Sequence, residues 1–222
     1  MTMRRWLFGL FCLLAAPSAL RAQGLADYDY ENLSFRGASL DYGYIWPSKV
    51  QPTSRYGVRV DLGFLGPGVR VTPSLTYWNS KMKEGELNRL AGRLSQLPPF
   101  AQQGVTIEGK DLGAIDWRDV ALQLDGQYAW TTPAGIMPYL GAGLGVHFLN
   151  GNGELIKGTF IEDLLDTVTA GVTGLAGVEY EPLPRFRVYA EASYTLMSYL
   201  RYPSLKIGGA LMVSRGRGGN TP

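Results

Sequence analysis

Between residues 37 and 214 apolar and polar side chains alternate with a period of two, the spacing of a β-strand whose two faces meet different surroundings. Eight segments carry the pattern. Four lie near 37–46 (apolar face Ala38, Leu40, Tyr42, Tyr44, Trp46), 55–64 (Tyr56, Val58, Val60, Leu62, Phe64), 68–78 (Val69, Val71, Pro73, Leu75, Tyr77) and 118–130 (Val120, Leu122, Leu124, Tyr128, Trp130). Four more lie near 136–148 (Leu140, Ala142, Leu144, Val146), 167–180 (Val168, Ala170, Val172, Ala176, Val178, Tyr180), 185–197 (Phe186, Val188, Ala190, Ala192, Tyr194, Leu196) and 204–214 (Leu205, Ile207, Leu211, Val213).

The connections alternate in length. "LGPG" (65–68), "TTPAG" (131–135) and "EPLPR" (181–185) are tight turns carrying proline or glycine, whereas 47–54, 79–116, 149–166 and 198–203 are mostly longer loops. An even number of antiparallel strands with short turns at one end and longer loops at the other is the layout of a transmembrane β-barrel. A soluble barrel of the lipocalin kind would alternate too, so the composition of the two faces has to separate them.

The second face holds Gly37, Ser39, Asp41 and Gly43, then Gly57, Arg59, Asp61 and Gly63, then Arg70, Thr72, Ser74 and Thr76. It continues with Gln123, Asp125 and Gln127, the run Gly141, Gly143 and Gly145, then Thr169, Gly171, Thr173 and Glu179, Arg187, Tyr189, Glu191 and Ser193, and Lys206 and Gly208. The interior of an eight-stranded barrel is only just wide enough for side chains to fill. The bulky apolar face does not fit there, and the glycine-rich face does. Glycine at every second position therefore makes room inside a narrow barrel for long charged residues of neighbouring strands. The fold expected is all-β: an eight-stranded antiparallel up-and-down transmembrane barrel with a polar, glycine-rich interior.

Nine charged residues fall on that inner face: Asp41, Arg59, Asp61, Arg70, Asp125, Glu179, Arg187, Glu191 and Lys206. Buried charges need partners, and neighbouring strands offer them: Asp61 with Arg70 around the 65–68 turn, Glu179 with Arg187 around 181–184, Asp41 with Arg59 around the first loop. An internal salt-bridge plug is favoured over a conduction path or a catalytic cluster. Aromatic residues mark the strand ends, Trp46, Tyr77, Trp78, Trp117, Phe148, Tyr199 and Tyr202 at the long-loop end and Phe64, Tyr128, Trp130, Tyr180 and Phe186 at the short-turn end. Two girdles at the two headgroup levels are expected. Pro138 lies near a turn, but Pro73 sits in mid-strand, where a missing ladder donor has no explanation in the sequence.

The amino terminus reads as a secretory signal peptide, residues 1–22: Arg4 and Arg5, the apolar run "WLFGLFCLLAA", then "PSALRA" with a cut expected after Ala22. The single cysteine, Cys12, lies within it, so the mature chain has no disulfide and no thiol ligand. Removing Arg4, Arg5 and Arg21 leaves 18 basic against 19 acidic residues, a charge of −1 in place of +2, and nothing argues for a nucleic-acid partner. Residues 23–34 are expected to be a periplasmic segment, 35–214 the barrel and 215–222 a tail.

The sequence resembles the small eight-stranded outer-membrane barrels, the OmpA/OmpX-like family. "PYLGAGLGVHF" (138–148) is similar to the proline-aromatic, glycine-alternating strand common in that group. "KIGGALMV" (206–213) resembles the carboxy-terminal signal read by the barrel-assembly machinery, with Lys206, Gly208, Leu211 and Val213 at the matching positions. It departs in ending on Val213 rather than an aromatic and in carrying the tail "SRGRGGNTP". The resemblance implies a Gram-negative outer membrane, both termini in the periplasm, and partners that are outer-membrane lipid and lipopolysaccharide, with the assembly machinery at insertion. A monomer is expected.

Some small barrels modify lipid A with histidine and serine on the lipid-facing side. The only histidine here, His147, falls on the inner face without a serine or aspartate beside it in sequence, so no catalytic residue is assigned. One histidine and no mature cysteine argue against a zinc site, and no cofactor motif is present. In loop 79–116, Leu87, Leu90, Ala91, Leu94 and Leu97 recur at helical spacing before Pro98 and Pro99. The leucines are expected to cover the barrel mouth against Leu155, Ile156, Phe160 and Ile161, while Lys81, Lys83, Arg89 and Arg93 are candidates for surface interaction. A structural or surface-binding role is expected, not a large pore; the other readings are a lipid A-modifying enzyme involving His147 and a soluble carrier.

Overall fold

The computed structural model describes residues 29–213 except 103 and 105; the signal peptide, Cys12 and the tail from 215 lie outside the described residues. Eight long strands form the wall: β1 (Gly37–Ile45), β2 (Thr53–Asp61), β4 (Val69–Lys81), β5 (Asp116–Ala129), β6 (Ile136–Asn152), β7 (Thr167–Leu183), β8 (Phe186–Met197) and β9 (Arg201–Met212). A three-residue piece, β3 (Phe64–Gly66), pairs beside the foot of β4. All pairings are antiparallel, in the order β2-β1-β9-β8-β7-β6-β5-β4, and β2 pairs with β4 to close the sheet on itself. Closure removes every long edge that an open sheet would leave unpaired.

Burial alternates along the wall, most regularly in β1 and β5. In β1 Gly37, Ser39, Asp41, Gly43 and Ile45 are buried and the residues between them are exposed. The outer wall is a belt of exposed large apolar residues, among them Leu40, Leu122, Leu144, Val168, Ile207 and Leu211. Soluble monomers rarely expose apolar surface this continuous to water, and the belt is the lipid face. β6 and β7 each have 17 residues. At about 3.3 Å per residue and a tilt near 40° such a strand stands roughly 40 Å tall, against an apolar band of about 25 Å, so the wall rises above the membrane at the long-loop end.

Strand 2 departs from the expected continuous segment. It stops at Asp61, because the Asp61 carboxylate accepts the Gly63 N–H at 2.7 Å and folds the chain into a turn with Gly63 at φ +81°. The irregularity flips the alternation. Phe64 consequently packs inside the short-turn mouth against Ala129, Tyr139 and Leu175, instead of joining a girdle. The same break accounts for Pro73. The Val71 N–H bonds to Gly63 O on the β2 side, and by alternation the absent Pro73 N–H would point the same way. The β2–β4 ladder ends at Arg59↔Ser74, so proline stands where that side has no ladder partner to lose.

At the other end the long loops build a cap. Helix α1 (Glu84–Ser95) puts Leu90, Ala91 and Leu94 inside, with Leu87 partly buried. They join Ile45, Val50, Trp78, Met82, Leu112, Ile115, Trp117, Leu149, Ile156, Leu165, Leu200 and Tyr202 in one apolar cluster over the mouth. Ile161 packs against it, but Leu155 and Phe160, expected beneath the helix, are exposed, and so is Leu97. Short helices α2 (Pro98–Ala101), α3 (Gly109–Leu112) and α4 (Phe160–Leu165) complete the loops. Trp78, Trp117 and Tyr202, expected in the outer girdle, belong to this cluster, whereas Trp46, Tyr77, Phe148 and Tyr199 are exposed on the wall.

Two of the short turns share one design, with contrasting residues. Pro67 precedes Gly68 at φ +73°, the order of a type II turn; Pro184 precedes Arg185 at φ +70°, the only non-glycine residue with positive φ among those described. A left-handed conformation costs an ordinary residue about 1–2 kcal/mol, and asparagine tolerates it better. Arg185→Asn should therefore raise the unfolding free energy by about 1 kcal/mol, seen as a higher urea midpoint of the refolded barrel. No change or a loss would mean that the arginine makes a compensating contact.

Candidate functional site

The lumen holds the chemistry. At its short-turn half, Arg70 donates from Nη1 and Nη2 to the two carboxylate oxygens of Glu179, both at 2.7 Å, and from Nε and Nη2 to Gln127 Oε1 at 3.1 and 2.6 Å. Arg59 reaches Glu179 at 3.4 Å and Glu191 at 3.1 Å, with its guanidinium 3.9 Å over the Tyr189 ring. Glu191 also accepts from the Tyr139 hydroxyl at 2.9 Å and pairs with Lys206 at 3.0 Å. Lys206 comes to 3.9 Å from Asp41, whose other partner is the Tyr189 hydroxyl at 3.1 Å.

Each of the eight long strands contributes to this one network: Asp41, Arg59, Arg70, Gln127, Tyr139, Glu179, Tyr189 with Glu191, and Lys206. Bidentate arginine–carboxylate pairs are the strong form of the charged hydrogen bond. Removing one partner from such a buried set leaves an uncompensated charge.

Two of the three pairs expected between neighbouring strands form, Asp61 with Arg70 and Glu179 with Arg187, but they are the long contacts of the set, and the third, Asp41 with Arg59, does not form. Asp61 stands 3.7 Å from both Arg70 and Arg187 at the lower mouth, and its closest bond is to the Gly63 N–H. Arg187 lies nearer Glu181 (3.3 Å) than Glu179 (3.9 Å). Asp41 lies opposite Gly57, Arg59 opposite Ser39, and the two form no ion pair. Opposite residues on paired strands both point inward, and long side chains reach across a narrow lumen as readily as along its wall. Asp125 stays apart, accepting only from Gln123 at 2.5 Å.

Glycine supplies the space. A Cβ at Gly57 would stand 2.5 Å from an Asp41 oxygen, at Gly143 1.9 Å from Asp125, at Gly177 2.4 Å from the Tyr139 ring and at Gly208 2.3 Å from the Tyr189 ring. The two lumen tyrosines thus lie flat over glycines, and their hydroxyls close the network.

Above it lies a second polar group, of which the sequence placed His147 on the inner face but not Asp119 or Arg55. Asp119 Oδ2 accepts from Trp78 Nε1 at 3.1 Å and meets His147 Nδ1 at 2.8 Å. An ionised carboxylate only accepts, which assigns the proton to Nδ1. Arg55 donates to Ser204 at 3.4 Å. Parity could have found both charges, since Arg55 and Asp119 continue the inward positions of Arg59 and Asp125 at the outer ends of the segments 55–64 and 118–130. His147 is 1% exposed, within the wall and away from lipid. A Cβ at Gly171 would lie 2.6 Å from its Nε2.

The four surface cations are put to different uses. Lys83 donates to the carbonyls of Pro47 and Ser48 at 2.8 and 3.2 Å and ties the β1–β2 loop to the cap. Arg89 pairs with Glu86 on α1, Arg93 is exposed on the same helix, and Lys81 is exposed at the end of β4.

Two predictions follow the geometry. Glu179→Ala should cost about 3–5 kcal/mol. In double-mutant cycles read by urea unfolding in detergent, Arg70 should couple to Glu179 more strongly than to Asp61; equal couplings would place Arg70 nearer Asp61 than described. On β7, Gly177→Ala should lose about 1–3 kcal/mol by overpacking. Gly174→Ala, with nothing within 4 Å of the new methyl, should be neutral or slightly stabilising. Equal effects at the two positions would remove the space-making role.

The chain matches no family model and no curated protein. Among solved structures it is similar to Neisserial surface protein A, at 15% identity over 79% of this chain and 96% of that one, with a TM-score of 0.52. It is also similar to Ail of Yersinia pestis, solved with the heparin analogue sucrose octasulfate (9% identity, 80% and 97% covered, TM-score 0.48). A third match is the amino-terminal barrel domain of Pseudomonas aeruginosa OprF (15%, 79% and 97%, TM-score 0.44). The fold is that of the small eight-stranded outer-membrane β-barrels.

Proposed function

We propose that this outer-membrane barrel is sealed, and that its role is structural or surface-binding rather than transport or catalysis. The observation that carries the reading is closure of the lumen by two different means. The ion network spans the short-turn half from all eight long strands, and the apolar cluster fills the long-loop half. At the lower mouth, among Ser39, Arg59, Asp61, Arg70, Glu179 and Arg187, the remaining void is about 10 Å³, room for about one water.

The same closure weighs against the enzymatic reading. His147, the residue on which that reading depended, is enclosed with Asp119 and Trp78 inside the wall, where no lipid substrate passes. A soluble carrier is disfavoured by the exposed apolar belt. What remains available to partners is the cap and the rim above the membrane. Lipopolysaccharide and outer-leaflet lipid are the partners proposed there, with the barrel-assembly machinery engaging the last strand at insertion and the mature barrel a monomer.

Planar-bilayer recording tests the seal. The refolded protein should give no steady porin-sized conductance, because eight strands leave no aqueous channel and the residual space is plugged. A steady, porin-sized step in every insertion would overturn the reading.

A further inference from the structure

Outside the lumen, one cleft at the long-loop end has the makings of a binding site. On the outer wall the last apolar row is Tyr77, Val120 and Phe148, which lie opposite one another on β4, β5 and β6. The next row up is Asn79, Arg118 and Asn150. Just above this boundary, at the level of lipid headgroups, a concavity of about 580 Å³ opens between the 113–116 and 152–155 segments. That lies within the ~300–1,000 Å³ of small-molecule sites. One wall depends on Gly113, at φ +66°, where a Cβ would meet Leu155 at 3.0 Å.

The polar residues lining the cleft are Tyr77, Asn79, Asp116, Arg118, Asn152 and Glu154, beside Ala114 and Leu155. Neither carboxylate is paired with the arginine. Among the described residues the side chains of Asn79, Asp116, Asn152 and Glu154 have no hydrogen-bond partner, and Arg118 uses only Nε, toward Asn150 Oδ1 at 2.8 Å. The set contains donors only (Arg118), acceptors only (Asp116, Glu154) and groups that do both (the two amides and the Tyr77 hydroxyl). A phosphate needs donors and is repelled by two carboxylates. A metal ion needs acceptors, and no group of three or more histidine, cysteine, aspartate or glutamate side chains among the described residues could hold one. A neutral ligand whose hydroxyls both donate and accept suits the whole set, and an aromatic face gives its C–H side an apolar platform.

We propose that this cleft binds a neutral sugar ring, with Tyr77 as the stacking platform and Asn79, Asp116, Arg118, Asn152 and Glu154 reading its hydroxyls. The inference deepens the surface-binding reading and rests on it. It also gives the unpaired charges of the rim a use that the ion pairs of the lumen do not share.

Saturation-transfer NMR tests it, with the full mature barrel refolded without glycoside detergents and placed in phospholipid nanodiscs. The probes are the methyl glycosides of glucose, galactose and N-acetylglucosamine, and maltotriose. At least one should receive saturation on its ring protons, and its affinity should fall tenfold or more in Tyr77→Leu and in the double variant Asn79→Ala, Asn152→Ala. Heat-modifiable gel migration identifies the variants that fold; should Tyr77→Leu not fold, the double variant decides. Saturation of none of the four probes, retention of binding in the folded variants, or displacement of the sugar by inorganic phosphate would each overturn the proposal. A barrel that fails this test yet stays silent in the bilayer would still be a sealed surface protein, so the two failures are distinguishable.

Discussion

The carboxylate of Glu179 holds the lower barrel together. It receives two bonds from Arg70 on β4, one from Arg59 on β2, and lies within reach of Arg187 on β8, so three strands spread around the wall meet at one side chain. Register follows from that meeting. A slip of one residue on any of these strands would turn its charge from the lumen to the hydrocarbon, where a basic residue costs roughly 2–4 kcal/mol at the midplane. In a membrane the wall cannot be held to its interior by the exclusion of water, because the outside is already apolar. Charge pairing inside does the work that an apolar core does in a soluble barrel.

Such a network needs volume as well as partners. The lumen is filled by large groups, two tyrosines and four long cations or more, and the wall yields glycines opposite them. Gly177 lies under Tyr139, Gly208 under Tyr189, Gly57 beside Asp41 and Gly143 beside Asp125. Glycine is a poor strand residue on its own terms. Here the loss is offset because the alternative, a methyl within about 2.5 Å of a ring or carboxylate, would displace a group on which several strands depend.

The alternation made most of this legible in the sequence. Parity alone separates Leu122 and Leu124 from Gln123 and Asp125, and with eight such segments the closed barrel follows. What parity does not give is the partner. Asp61 and Arg70 do meet around their turn, but the Asp61 carboxylate accepts from the Gly63 N–H, which bends the chain and leaves the pair at 3.7 Å, while Arg70 makes its short bonds to Glu179 across the lumen. The same bend hid the fate of Phe64, because it breaks the period on which its assignment rested. Arg55 and Asp119 were missed for a simpler reason: they stand at the outer ends of the segments 55–64 and 118–130, and the strands continue past them to Thr53 and Asp116. The unpaired polar cleft at the rim is assembled from three strands and two loops, and no local pattern announces it.

That extra length also explains why Trp78, Trp117 and Tyr202 face inward. The inner face of β4 runs Arg70, Thr72, Ser74, Thr76 and then Trp78, and that of β5 runs Gln127, Asp125, Gln123, Ala121, Asp119 and then Trp117. Each changes from polar to apolar at the level where the outer face changes from Tyr77, Val120 and Phe148 to Asn79, Arg118 and Asn150. Below that level the solvent is hydrocarbon and the polar groups must be inside; above it the solvent is water and the apolar groups must be. One continuous set of strands therefore crosses two solvents by inverting both faces at once. Asp119 and His147 sit at the inversion, where Trp78 brings the first ring of the upper core into hydrogen-bond contact with a buried carboxylate.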